Sequence, residues 1–189
     1  MPEALQSESG WAYSPAPETT SISIEDRYGL FIDGQFVAPR SRRRFETINP
    51  SNEEAITSIG EAGKADVDRA VEAARKAFRK WSRTGPLVRA KYLYRIARRI
   101  QERARELAIL ETIDGGKPIR ESRDVDLPLV AQHFFYHAGW CDKLKWAIPG
   151  NFDPRPVGVC AQVIPWNFPL LMAAWKLAPA LACASDAAM

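Results

Sequence analysis

One polar side chain, Asn167, lies in an otherwise apolar stretch between Pro165 and Pro169. A carboxamide in an apolar cleft can donate a hydrogen bond to a developing oxyanion without carrying a charge that must be desolvated. Asparagine also caps helix N-termini, where its side-chain oxygen accepts a hydrogen bond from a backbone N–H. The residue type and its surroundings therefore allow two interpretations of Asn167, an oxyanion donor or a helix cap.

The residues around Asn167 predict a strand, a rigid loop and a helix. The apolar, β-branched run at 159–164 is typical of a buried strand. Pro165 interrupts the strand pattern, and Pro169 is well placed at the first position of a helix. Since α/β proteins bind ligands at the carboxyl ends of their parallel strands, we expect a ligand site at this loop.

Two segments of this region, IPWNFPL and AWKLAPALA, closely resemble the aldehyde dehydrogenase superfamily, whose members depend on NAD or NADP. The upstream segment ETIDGGKP is similar to the same family, and the resemblance extends from about residue 28 to residue 189. It implies an α/β fold: the amino-terminal part of the aldehyde dehydrogenase fold, with small β-hairpins, a helical segment and the start of a Rossmann-like parallel sheet.

The resemblance implies a role for each residue of the motif. Asn167 would donate to the oxyanion of the thiohemiacetal intermediate. Lys176 would relay a proton or orient the site, although a lysine on a helix can equally cover apolar surface with its stem. The nicotinamide end of an NAD or NADP cleft would be lined by Ile164, Pro165, Trp166 and Asn167. The aldehyde tunnel would be walled by Phe168, Leu171, Met172 and Trp175.

The resemblance also implies that much of the chemistry lies beyond Met189. The family's nucleophilic cysteine, glutamate base, glycine-containing cofactor loop and ribose-binding lysine all come later. Cys160 and Cys183 do not match the nucleophile's motif, and we interpret each as a small buried residue. We therefore expect a fragment of an enzyme that oxidises an aldehyde to a carboxylic acid, inactive alone. A non-catalytic subunit or regulator that associates with a full-length relative is the alternative, and a decayed product is a third.

Composition narrows the class of protein. The net charge of +3, from 26 basic and 23 acidic residues among 189, is too small to argue for nucleic acid binding. Three cysteines without a CxxC pair predict neither a metal site nor a disulfide framework. The uncharged run at 157–175 contains prolines and polar residues, which argue against a membrane helix. We expect a cytoplasmic protein that acts on a small-molecule aldehyde and, like the intact family, forms a homo-oligomer.

The remaining chain predicts an arm followed by one incomplete domain. Residues 1–26 are rich in serine, threonine and proline and predict a flexible arm, and residues 27–189 predict the incomplete cofactor-binding domain. The expected elements are a hairpin at 28–37 turning at Asp33-Gly34, strands at 45–48 and 55–59, and helices at 64–81, 87–113 and 125–144.

Two other features of this domain lead to further expectations. His133 and His137 share a helix face, as a metal pair or, with greater weight, as part of an aromatic packing surface. Some relatives bind a monovalent cation near the positions that match Thr47, Ile48 and Asp114. The resemblance carries this cation site over only weakly, since backbone oxygens supply much of it.

The last residues depart from the family pattern. Ala184 and Ser185 replace a glycine and an asparagine, and Asp186 stands where an apolar strand residue is usual. A charge entering a buried strand is costly unless it is paired. We therefore expect the end of the chain to be frayed or to lie outside any sheet. We also expect the apolar side chains of the strand and its helix to lack packing partners, which would make the chain marginally stable. The side chains expected to lack partners are those of Val159, Val163, Leu170, Leu171 and Trp175.

Overall fold

The computed structural model describes residues 22–147, 150, 154–184 and 186–188. Most of the predicted arm lies outside the described residues. At its end, the hydroxyl of Thr57 donates to the backbone oxygen of Glu25 at 2.7 Å, so residues just before 27 already contact a strand of the domain.

Short strands form three small sheets in the part of the chain that is described. The strands are β1 (Arg27–Tyr28), β2 (Leu30–Ile32), β3 (Gln35–Val37), β4 (Arg44–Ile48), β5 (Ala55–Gly60), β6 (Val159–Ala161) and β7 (Asp186–Ala188). In the first sheet, of order β1-β5-β4, β5 is parallel to β1 and antiparallel to β4. β2 and β3 form the predicted hairpin, and β6 pairs with β7 in parallel.

The helices lie between these strands. They are α1 (Lys64–Trp81), α2 (Pro86–Glu102), α3 (Ala104–Gly115), α4 (Ile119–Glu121), α5 (Leu127–Trp140), α6 (Leu144–Ala147) and α7 (Pro169–Ala182), with a π-helix at Ser122–Asp126. α1 has the predicted bounds. It begins after Gly63, whose N–H donates to the side chain of Asp66 at 3.2 Å, and Asp66 also accepts the backbone N–H of Arg40.

The core of the domain lies between α2, α5 and α7. Leu93 and Ala97 of α2, Val130 of α5 and Ala174 of α7 are each at most 1% exposed. Apart from Leu171, the buried residues of α7 are the alanines Ala174, Ala178 and Ala182, which lie in this core. The packing of α7 on α5 fixes where α7 begins, and therefore where the loop before it lies.

Four expectations about the elements need correction. The helix predicted at 87–113 is broken at Arg103, whose backbone has φ −106° and ψ 13°. The first two residues of the helix predicted at 125–144 belong to the π-helix, and the α-helix that follows, α5, ends at Trp140. The strand predicted at 159–164 is only the three residues of β6. Asp186 lies in a strand, paired with Val159, so the expectation that the end lies outside any sheet is wrong.

The expectations about burial are partly right. Val163 is 80% exposed and Trp175 is 49% exposed, which agrees with the expectation that they lack packing partners. Leu171, in contrast, is only 5% exposed because it packs in the helical core. Ala184 has φ 62°, the left-handed conformation in which glycine is favoured. Cys183 is exposed, which contradicts the interpretation of that residue as buried.

Candidate functional site

The loop that carries Asn167 lies at the carboxyl end of β6 and leads directly into α7. β6 ends at Ala161, and α7 begins at Pro169, the first helical position predicted from the sequence. The backbone oxygen of Phe168 accepts the N–H of Met172 at 2.8 Å, which closes the first turn of the helix. Trp166 is 88% exposed, and Asn167 beside it is also exposed.

The side chain of Asn167 is not a helix cap in this structure. The N-cap residue of α7 is Phe168, and no side chain makes a capping hydrogen bond there. The carboxamide of Asn167 has no hydrogen-bond partner among the residues that are described. Of the two interpretations, the helix cap is therefore wrong, and the oxyanion donor stays a prediction.

Lys176 anchors the chain that precedes the loop. Its ammonium donates a hydrogen bond to the backbone oxygen of Val163. The side-chain amide of Gln162 donates to the backbone oxygen of Lys176 at 3.4 Å, and the Oε1 atom of Gln162 is buried without a partner in the described part of the chain. Lys176 therefore holds the start of the loop against α7, and its ammonium is occupied by a backbone carbonyl.

The four residues assigned to the aldehyde tunnel have different environments. Leu171 faces the core between α5 and α7, and Met172 packs at the edge of that core. Trp175 is half exposed, and its indole N–H donates to Nε2 of His133 on α5. Phe168 is 38% exposed at the start of the helix. The structure therefore brings Phe168 and Trp175 to the surface and places Leu171 inside.

Sequence reasoning missed a buried ionic cluster behind Phe168. The ammonium of Lys117 lies 4.0 Å from the centre of the Phe168 ring. It also donates to Oε1 of Glu111 at 3.0 Å and to Oδ2 of Asp126. The side chains of Glu111 and Asp126 are 4% and 1% exposed. Lys117 and Glu111 both lie in the ETIDGGKP segment. The resemblance of that segment to the family was the one signal in the sequence that could have indicated this cluster.

Burial and charge act in opposite directions within this cluster. Desolvation of the Glu111 carboxylate raises its pKa above the ordinary value, and the hydrogen bond from Lys117 only partly offsets that effect. Burial lowers the pKa of Lys117, but the hydrogen bonds to Asp126 and Glu111 outweigh it and raise the pKa overall. Lys117 therefore remains charged beside Phe168 at neutral pH.

The region implied as a cation site has one feature that fits it. The hydroxyl of Thr47 is buried without a partner among the described residues. The turn after β4 packs on the end of α3, where a Cβ added to Gly116 would lie 2.6 Å from Cγ of Pro50. Asp114, near the end of α3, is exposed.

The two histidines lie in an aromatic surface. The rings of His133 and His137 stack with centroids 6.2 Å apart, and His133 meets the Trp175 ring edge to face at 5.3 Å. Within the described residues no group of three or more histidine, cysteine or acidic side chains is arranged to hold a metal ion. The described helices also include none with the length and apolar character that a membrane span requires.

Residues 36–187 match the sequence model of the aldehyde dehydrogenase family. This match covers most of the chain, and the chain therefore belongs to that family. Its α/β fold, with helices and small sheets, is the fold of solved aldehyde dehydrogenases over the portion that the chain covers.

Two relatives and one solved structure illustrate the likeness. The chain is 44% identical to a mitochondrial aldehyde dehydrogenase of Leishmania tarentolae, over 88% of this chain and 34% of the relative. It is 44% identical to the fluoroacetaldehyde dehydrogenase of Streptantibioticus cattleyicolor, over 89% and 35%. A betaine aldehyde dehydrogenase mutant from Staphylococcus aureus, solved with NAD⁺, superposes with a TM-score of 0.75 at 38% identity, covering 86% and 34%. The chain thus spans about a third of the length of these relatives.

Proposed function

We propose that this chain supplies the oxyanion donor and the nicotinamide end of the cofactor cleft in an NAD(P)-dependent aldehyde dehydrogenase. The observation that carries the proposal is the exposed carboxamide of Asn167, which has no described partner and lies at the carboxyl end of β6. A neutral N–H donor at this place stabilises negative charge that develops on a carbonyl oxygen.

Each residue of the loop has a part in this proposal. Asn167 donates to the oxyanion formed when a thiolate adds to the aldehyde carbonyl carbon. Lys176 fixes the loop through its bond to Val163, which makes it a positioning residue here. The exposed rings of Pro165 and Trp166, with the half-buried Ile164, offer apolar surface to a planar nicotinamide, which fits one side of such a cleft. A bound nicotinamide supplies a hydride acceptor. Phe168, Met172 and Trp175 border the aldehyde, with Leu171 supporting them from the core.

The nucleophile in this proposal is not a cysteine of the described chain. Burial raises the pKa of the Cys141 thiol, which lowers its fraction of reactive thiolate, and neither Cys160 nor Cys183 matches the motif of the family's nucleophile. We propose that the thiolate and the base belong to a longer protein of which this sequence forms a part. The substrate is a small-molecule aldehyde, the cofactor is NAD or NADP, and the working form is a cytoplasmic homo-oligomer.

A hybrid protein tests this proposal. This chain replaces the matching third of the Leishmania tarentolae relative, and aldehyde-dependent formation of NADH or NADPH is measured. We expect turnover from the hybrid and none from the chain alone. A folded hybrid that binds the nicotinamide cofactor but oxidises no aldehyde would overturn the proposal.

A non-catalytic subunit is the second candidate, and the exposure of three apolar side chains favours it. Val157, Val163 and Trp166 are each at least 80% exposed near the loop. Such surface promotes association with another protein. Co-migration of the purified chain with a full-length relative in size-exclusion chromatography, with no gain in turnover, would favour this candidate over the first.

A further inference from the structure

The Lys117 ammonium is held by two acidic groups from different elements. Glu111 comes from α3, and Asp126 is the last residue of the π-helix that follows Lys117 in the chain. π-Helical turns are rare and occur frequently at functional sites. Here the π-helix places Ser122 and Asp126 inward, each at most 1% exposed, and the hydroxyl of Thr112 donates to that of Ser122 at 3.1 Å.

This arrangement fixes a side chain that is usually flexible. The side chain of Lys117 is 11% exposed, and its two carboxylate partners are almost fully buried. Removing one member of such a buried cluster leaves an uncompensated charge, so the ammonium has little freedom to leave. The cluster therefore places a positive charge at a defined point beside the loop that carries Asn167.

Phe168 is the residue of the loop that meets this charge. The distance of 4.0 Å from Nζ to the ring centre lies well within the range of a cation–π contact. Phe168 directly follows Asn167, and its carbonyl closes the first turn of α7. An ammonium that holds the ring in one orientation therefore also restricts the peptide that joins Asn167 to the helix.

We propose that Lys117, held by Glu111 and Asp126, is a positioning residue that orients the Asn167 loop through the ring of Phe168. The catalytic meaning of that orientation rests on the function proposed above for Asn167. The contact itself does not, because it joins two residues of this chain. Lys117 thus acts on the orientation of Asn167 through Phe168, from a distant position in the sequence. It does not touch the reacting atoms.

Fluorine NMR of the full chain tests this proposal. Phe168 is replaced by 4-fluorophenylalanine, and the fluorine resonance and the backbone amide resonance of Asn167 are recorded. Lys117→Met removes the charge and keeps most of the stem, Lys117→Arg retains a cation, and Lys91→Met changes an exposed lysine as the matched control. A triple variant, Lys117→Met with Glu111→Gln and Asp126→Asn, removes the ammonium without leaving two buried carboxylates.

We expect the Lys117→Met and triple variants to move the fluorine resonance toward its position in the urea-unfolded chain and to shift the Asn167 amide. We expect Lys117→Arg to restore both signals and Lys91→Met to leave them unchanged. Unchanged fluorine and Asn167 signals in the folded triple variant would overturn the proposal. Since the readout requires no turnover, this result would be independent of whether the hybrid enzyme is active.

Discussion

The indole N–H of Trp175 donates a hydrogen bond to Nε2 of His133, and the two rings meet edge to face with centroids 5.3 Å apart. This bond joins α7, which follows the Asn167 loop, to α5 in the core. A histidine nitrogen accepts a hydrogen bond only when it carries no proton. The contact between the two helices therefore depends on the neutral form of His133.

The first prediction concerns the pH dependence of stability. Burial lowers the pKa of His133, and the nearby His137 lowers it further. Its folded-state pKa is thus below the unfolded value of about 6.5, and the stabilisation is complete above pH 6.5. As pH falls below that value toward the folded-state pKa, the unfolded chain takes up the proton more readily and stability is lost. We expect the melting temperature to fall over this window.

A pair of variants isolates the contribution of His133. Glutamine keeps a hydrogen-bond acceptor but does not titrate, so we expect His133→Gln to flatten the pH dependence below pH 6.5. His137→Gln should retain the dependence, because His133 still titrates. Equal slopes for the two variants in thermal melts monitored by circular dichroism would contradict the assignment.

The second prediction compares two adjacent glycines at the end of α3. Gly116 has φ 69°, and a Cβ there would lie 2.6 Å from Cγ of Pro50, whereas a Cβ at Gly115 meets nothing within 4 Å. We expect Gly116→Ala to lower the free energy of unfolding by at least about 1–2 kcal/mol, the cost of a left-handed alanine. Gly115→Ala should be neutral or stabilising by up to about 1 kcal/mol. Urea unfolding of both variants measures the difference, and similar values for the two would exclude this explanation.

The third prediction concerns the anchor at the far end of α7. Arg89 is 8% exposed, and its guanidinium donates to the backbone oxygens of Thr84 and Ala182, the latter at 3.1 Å. We expect Arg89→Met to destabilise the chain by about 1.5–3 kcal/mol, the usual value of hydrogen bonds from a charged group. Arg98 is exposed on the same helix, so Arg98→Met serves as the control in denaturant titrations. A loss as small as that of the control would show that the anchor contributes nothing.

Local pattern was sufficient for some elements. The apolar spacing between Lys64 and Trp81 predicted α1 with its observed bounds, and Asp33-Gly34 predicted the hairpin turn, in which both residues have positive φ. These features depend on a few neighbouring residues. In contrast, the pattern does not reveal the break at Arg103, because the ion pair Arg99–Glu102 before it and the ion pair Arg103–Glu106 that starts at it both have the i,i+3 spacing of a continuous helix.

The sequence was sufficient to predict only those parts of the candidate site whose residues are consecutive in the chain. The loop around Asn167 could be identified from the two prolines and the family resemblance. The contacts of Lys117 with Phe168 and of His133 with Trp175 join positions far apart in the sequence, and neither follows from periodicity. Leu171 was expected to lose its partners with the missing sheet, yet α2 and α5 supply a core that buries it.

The central claim is that Asn167 stabilises the oxyanion, and kcat of the hybrid enzyme with Asn167→Ala tests it most directly. Asn52→Ala, in the exposed turn between β4 and β5, is the matched control. We predict that kcat falls by about 10²–10³-fold in the Asn167 variant, the usual cost of losing one oxyanion donor, while the control is unchanged. An Asn167→Ala hybrid that folds and retains the kcat of the control would contradict the account.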